Sequence, residues 1–138
     1  MLIVDTNVIS EIMQLVPSPR VLGWWSQHRS TELYTSAITM AEILYGIELL
    51  PKGKRHDRLS TEAEVVFAQD FFGRILPFDE EAARGFSEIA AARRGRGHPI
   101  AELDAQIAAI ARSRKATLAT RNTSDFQDCG VPLVNPWL

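Results

Sequence analysis

Short apolar runs of strand character alternate along this chain with longer stretches of helical period. That order calls for a parallel sheet covered by helices and excludes a sandwich or a helical bundle. The first run is Met1-Leu2-Ile3-Val4, stopped by Asp5, and a helix is expected from Val8 to Leu15. Ser18-Pro19 supplies an N-cap and a first-position proline for a helix through Val21, Leu22, Trp24 and Trp25. A second strand is expected over Leu33 to Ala37, a helix from Met40 to Leu50, and a charged loop from Lys52 to Arg58. Helical pattern resumes from Ser60 to Phe72, and a third strand follows over Arg74 to Phe78. A long helix over Glu80 to Arg94 breaks at Gly95-Arg96-Gly97-His98-Pro99. Ala101 to Lys115 is expected as the last helix, Ala116 to Thr120 as the next strand, and Val131 to Val134 as a final short apolar run. The expected class is therefore α/β, with a central parallel sheet of four to five strands flanked by helices on both faces.

In a sheet of that kind ligands bind at the carboxyl ends of the strands, and acids recur there along this chain. Asp5 ends the first strand with Thr6 and Asn7 straight after it, although Asp is also a common N-cap for a following helix. Thr39-Met40-Ala41-Glu42 matches a capping box, which alone would explain Glu42. The same helix carries one apolar stripe at Met40, Ile43, Leu44 and Ile47 and a second at Tyr45 and Leu49, with Glu42 in line with the second. A helix apolar on both sides is expected to be buried. Its acid then needs a partner, which a backbone amide, a metal ion or a catalytic water would supply. Asp104 lies one step around its helix from Leu103 and Ile107, at the edge of the buried stripe, where the helix dipole also favours an acid. Asp125 closes the polar turn Arg121-Asn122-Thr123-Ser124-Asp125-Phe126, whose residues are those that turns use in any case.

Singly, each acid has a structural explanation; together, at corresponding positions, they point to a metal-dependent active site. Hard divalent cations such as Mg²⁺ take oxygen ligands, keep several waters and are held by one or two carboxylates plus substrate phosphate. Such an ion lowers the pKa of a bound water and neutralises charge on a scissile phosphate. Without it, clustered acids repel one another.

The chain's 138 residues, 46% apolar and 23% charged, suit a single domain over 1–138. A net charge of -2 excludes a chain that holds nucleic acid mainly by bulk electrostatics, so any such contact must be local. Candidate basic groups are Lys52, Lys54, Arg55, His56 and Arg58, then Arg93, Arg94, Arg96 and His98, and Arg121 beside the proposed site. Cys129 is the only cysteine, which rules out a disulfide framework or a cysteine-based zinc site and suits a reducing cytoplasm. Nothing approaches the ~20 apolar residues of a membrane span, so a cytoplasmic location with no membrane partner is expected.

Over essentially its whole length the chain resembles the PIN-domain ribonucleases, and within them the VapC-like and FitB-like toxins of bacterial toxin-antitoxin pairs. The resemblance rests on Ile3-Val4-Asp5-Thr6-Asn7-Val8-Ile9-Ser10-Glu11, on Ser36-Ala37-Ile38-Thr39-Met40-Ala41-Glu42-Ile43 with Tyr45-Gly46, and on Ile75-Leu76-Pro77-Phe78-Asp79. It continues through Leu103-Asp104-Ala105-Gln106-Ile107-Ala108-Ala109 and Leu118 to Phe126 to the closing Asn135-Pro136-Trp137, which draws it nearer the FitB-like branch. The resemblance implies that Asp5, Glu42 and Asp104 are the family's most constant acids, with Asp5 and Asp104 the direct ligands of Mg²⁺ or Mn²⁺. Thr6, Asn7, Thr120, Arg121 and Asn122 are then expected around the metal or the substrate. The fourth acid position falls at Asn122 in some relatives and at Asp125 in others; this chain has its acid at Asp125. The resemblance also implies an RNA substrate, a cognate antitoxin that carries operator DNA, and a homodimer.

Three function classes stand open on the sequence: a metal-dependent ribonuclease toxin, a haloacid-dehalogenase-like phosphatase, and a binding module with an idle site acting through an antitoxin on DNA. The phosphatase needs a second Asp two residues after the first, where this chain has Asn7.

Overall fold

Ile3 and Val4 are neighbours on one strand yet feed two different hydrophobic cores, because successive strand side chains point to opposite faces. That strand, β1 (Leu2–Val4), is the central one of the computed structural model, which describes all residues 1–138. Four more strands, β2 (Leu33–Ser36), β3 (Ile75–Leu76), β4 (Thr117–Ala119) and β5 (Leu133–Val134), pair parallel in the order β3-β2-β1-β4-β5. The class and the strand count agree with the sequence. The chain steps from β1 outward through β2 to β3, then returns to lay β4 on the other side of β1. The two central strands therefore diverge in connection, and the crevice at their carboxyl ends is where an open α/β sheet places its site.

The helices α1 (Thr6–Ile12), α2 (Pro19–Ser26), α3 (Ala37–Glu48) and α4 (Lys54–Val65) supply most of the core around Val4, Leu33 and Ala119. The helices α5 (Glu80–Gly95) and α6 (Glu102–Ser113) pack over Ile3, Leu76 and Leu118. Ile3, Val4, Ile107 and Leu118 are wholly buried, each contributing ~1.5–3 kcal/mol relative to exposure. No helix is long and apolar enough to cross a membrane.

Five local expectations need correction. Ser36, not Thr39, caps α3: its Oγ accepts the Thr39 amide at 3.0 Å, so the helix starts at Ala37 and Glu42 lies beyond the capping turn. The second stripe of α3 is not buried, with Tyr45 and Leu49 each 66% exposed, and Leu44 of the first stripe is exposed as well. Residues 54–58 are not loop but the opening of α4, whose charges face water while Ala63 packs inward; strong helix formers outweigh their polarity. That helix gives way to a π-type turn at Val66–Asp70 rather than running on to Phe72. On α6, Leu103 is 46% exposed and the buried face is carried by Ala105 and Ile107 to Ala111.

Candidate active site

Asp5 emerges from β1 beside Thr120, which follows β4, because the two strands pair in register with Val4 opposite Ala119. Asp5 stands at the N-cap position of α1, but its side chain makes no capping bond. Its Oδ2 accepts instead from the Thr120 hydroxyl at 2.8 Å and from Asn7 Nδ2 at 3.3 Å. Thr120 Oγ1 in turn accepts from Asn7 Nδ2 and from the Asn122 amide, and Asn7 Oδ1 accepts the Arg121 amide at 3.2 Å. This lattice fixes the carboxylate's orientation through its Oδ2.

Glu42, from the second turn of α3, is held by Thr6, whose hydroxyl donates to Oε1 at 2.7 Å. Having spent its one proton there, Thr6 Oγ1 is left to accept from the buried Thr39 hydroxyl 3.1 Å away. Asp104, in the first turn of α6, is different: it is half-buried, and its carboxylate has no hydrogen-bond partner in the chain. Burial first, then the charges of Asp5, Asp125 and Glu42, push it up to about 6, with Arg93 pulling the other way. Burial also raises Asp5, against the opposing bonds from Thr120 and the Thr6 backbone. Asp125 sits on the 3₁₀ turn Thr123–Phe126, exposed at the rim, and its charge is felt by both Asp5 and Asp104.

Asp5, Glu42 and Asp104 share one open cleft of about 370 Å³, also lined by Thr6, Asn7, Arg121 and Asn122. All the residues expected at the site therefore border it except Thr120, which supports it from beneath, and Asp125, which stands at its edge. No three acids converge on a single point as a finished cage. This agrees with the way Mg²⁺ is held, by one or two carboxylates and several waters. The donors fit such an ion: they are all oxygen, burial and then neighbouring charge raise Asp5 and Asp104, and Asp104 has no partner of its own.

A carboxyl whose folded pKa lies above its unfolded 3.8 binds its proton more tightly when folded. The stability Asp104 contributes is present below 3.8 and lost as pH rises through about 6. In EDTA, the melting temperature of Asp104→Asn is expected to draw ahead of wild type across that window. A gap that does not change with pH would show that ionising Asp104 carries no cost in the fold.

Sequence reasoning misplaced one charge. Arg93, expected with the basic groups that could face substrate, is instead buried. Its Nε donates to the His98 carbonyl at 2.8 Å and its Nη1 to the Asp125 and Gln127 carbonyls at 3.0 and 2.9 Å. One guanidinium thus ties the segment leading into α6 to the turn that carries Asp125. Its position four residues after Ile89, on the buried face of α5, was the available signal. Trp137, which also lines the cleft, had no expected role.

A family model described as the PIN domain matches residues 2–130. The VapC ribonuclease Y4jK of Sinorhizobium fredii (strain NBRC 101917 / NGR234) is 38% identical over 99% of this chain and 98% of its own length. Toxin FitB of Neisseria gonorrhoeae (strain ATCC 700825 / FA 1090) is 40% identical over 99% of both chains. Among solved structures, FitAB bound to an IR36 DNA fragment superposes with a TM-score of 0.93 at 40% identity, covering 100% of this chain and 96% of that one. FitAcB from Neisseria gonorrhoeae superposes with a TM-score of 0.88 at 38% identity, covering 99% of each chain.

Proposed function

The chain belongs to the PIN-domain family, and from that premise we propose that it is a divalent-metal-dependent ribonuclease, the toxin of a toxin-antitoxin pair. The observation that carries this is the cleft in which Asp5, Glu42 and a partnerless Asp104 meet at the switch point of the sheet. Asp5 and Asp104 would hold Mg²⁺ or Mn²⁺, which when bound supplies charge neutralisation at the scissile phosphate and a water of lowered pKa. Thr120 and Asn7 keep one Asp5 oxygen engaged while the residue lines the cleft. Glu42, steadied by Thr6, orients the attacking water and takes its proton, with Asp125 or Asn122 completing the site from the rim. The substrate is RNA and the residues 1–138 act as one domain.

The partners follow the same reading. The relatives seen with FitA or on DNA support an antitoxin that binds this chain and carries it to operator DNA. An Arg or Lys from that antitoxin would enter the acidic cleft and take the cation's place. A groove of about 230 Å³ between α1, α3 and α4 shares Thr6, Ser10, Gln14 and Glu42 with the cleft and offers the antitoxin a continuous path toward it. The exposed Leu44, Tyr45 and Leu49 are the apolar surface on which a second copy would dimerise.

Incubation with RNA in Mg²⁺, in Mn²⁺ and in EDTA tests the enzyme reading. Cleavage is expected with either metal, lost in EDTA, and competed by antitoxin less effectively as metal is raised. Intact RNA under every condition would instead favour a binding module that works through the antitoxin.

A further inference from the structure

The closing Asn135-Pro136-Trp137 is built into the cleft wall. Asn135 Oδ1 accepts the Trp137 amide at 2.9 Å, and Asn135 Nδ2 donates to the Arg121 carbonyl at 3.4 Å, so the turn grips the segment that leaves β4. One side of the half-buried indole packs against the core around Val4 and Ala119. Over its ring, 5.0 Å from the centroid, lies the Arg121 guanidinium. The Arg121 amide is meanwhile anchored to Asn7, one hydrogen bond from Asp5.

Arg121 is exposed and lines the same cleft as Asp5, Glu42 and Asp104, yet its guanidinium pairs with none of them and makes no hydrogen bond within the chain. Without a holding contact, a long flexible cation beside several carboxylates would fold down onto them. Stacking on Trp137 holds it at the rim with its donors free. A planar guanidinium with unused donors, fixed beside a phosphate-cleaving centre, fits a phosphate oxygen pair.

We propose that Arg121 stacked on Trp137 forms a nucleotide subsite, in which Arg121 holds the RNA phosphate adjacent to the scissile one and Trp137 positions Arg121. This rests on the ribonuclease reading of the neighbouring cleft. It also explains how a chain with net charge -2 engages a polyanion: through a cation held at one place rather than a basic surface.

The test uses the full chain and a short labelled single-stranded RNA, with binding measured in Ca²⁺ and cleavage in Mg²⁺ over a range of salt. Arg121→Ala is expected to weaken binding about tenfold and to reduce the salt slope by about 0.7, one phosphate contact on a single strand. Trp137→Leu, which keeps apolar bulk, should lose most of the same affinity and slope, and Trp137→Phe should recover it. The Arg121→Ala, Trp137→Leu double variant should be no worse than Arg121→Ala alone. Wild-type affinity and slope in Arg121→Ala, additive losses in the double variant, or no RNA binding by wild type would each overturn the subsite. RNA bound through Arg121 but never cut would remove the ribonuclease reading and leave the subsite. Asp104-dependent cleavage indifferent to Arg121 would do the reverse.

Discussion

Asp104→Asn is expected to abolish RNA cleavage while raising the melting temperature of the metal-free protein at neutral pH. The carboxylate it removes has no partner in the chain, so no internal bond is lost, and the ionised form it replaces is held at a cost that lifts its pKa to about 6. The loss of activity should exceed the ~10–100-fold that outer partners of a metal site are worth if, as proposed, Asp104 is a direct ligand. Asp5→Asn should be equally inactive with a smaller gain in stability. Its amide oxygen still accepts from Thr120 and Asn7, but the charge those two donors steady is gone. Both measurements belong on one preparation, with folding checked by melting in EDTA. Metal-dependent cleavage near the wild-type rate in Asp104→Asn would remove Asp104 from the ligand set. A drop in stability would mean that its carboxylate has a favourable contact after all.

Arg93→Met should produce the largest loss of stability of any single change considered. The methionine fills much of the same volume but leaves the carbonyls of His98, Asp125 and Gln127 without their donor in a part-buried place. Unsatisfied buried groups cost ~1–3 kcal/mol each, and partial rehydration of the loop returns some of that, so about 3 kcal/mol is expected. A domain of this size should melt on the order of 10 °C lower. Removing the charge also takes away the one influence that lowers Asp104, so activity in the surviving folded fraction should need more metal. Arg93→Lys, with one ammonium in place of a fork, should recover only part of both effects. Melting within a degree or two of wild type would show that water replaces the guanidinium freely.

The sheet and its acids were legible because their signals are local. A buried strand that ends in Asp5, a helix that opens near Asp104 and a polar turn after Leu118-Ala119 can each be recognised from a few consecutive residues. The errors fell where a distant partner decides. Thr39 could not be told from Ser36 as the cap of α3 without knowing that Thr39 is needed by Thr6, 33 residues earlier. The charges of residues 54–58 suggested loop because solvated helix and solvated loop share a composition. Tyr45 and Leu49 looked buried because periodicity reports apolar faces, not what covers them. Arg93 and Trp137 were hidden for the same reason: an arginine's role depends on which carbonyls surround it, and a tryptophan's on which cation stacks above it.

The central place of β1 governs when the cleft comes into being during synthesis. Asp5 is made well before its hydrogen-bond partner Thr120, which lies 115 positions further on. Until Thr117–Ala119 has been translated, β1 has a neighbour on one side only, and Asp5 has no hydroxyl to orient it. Contacts so remote in sequence are also slow to close. In a growing chain Asp5 and Glu42 can come near each other through β1, β2 and Thr6, but Asp104 and Asp125 are still missing. The cleft is completed only when α6 and the segment after β4 join β1, so on the proposed ribonuclease reading a partly made chain would carry no finished site.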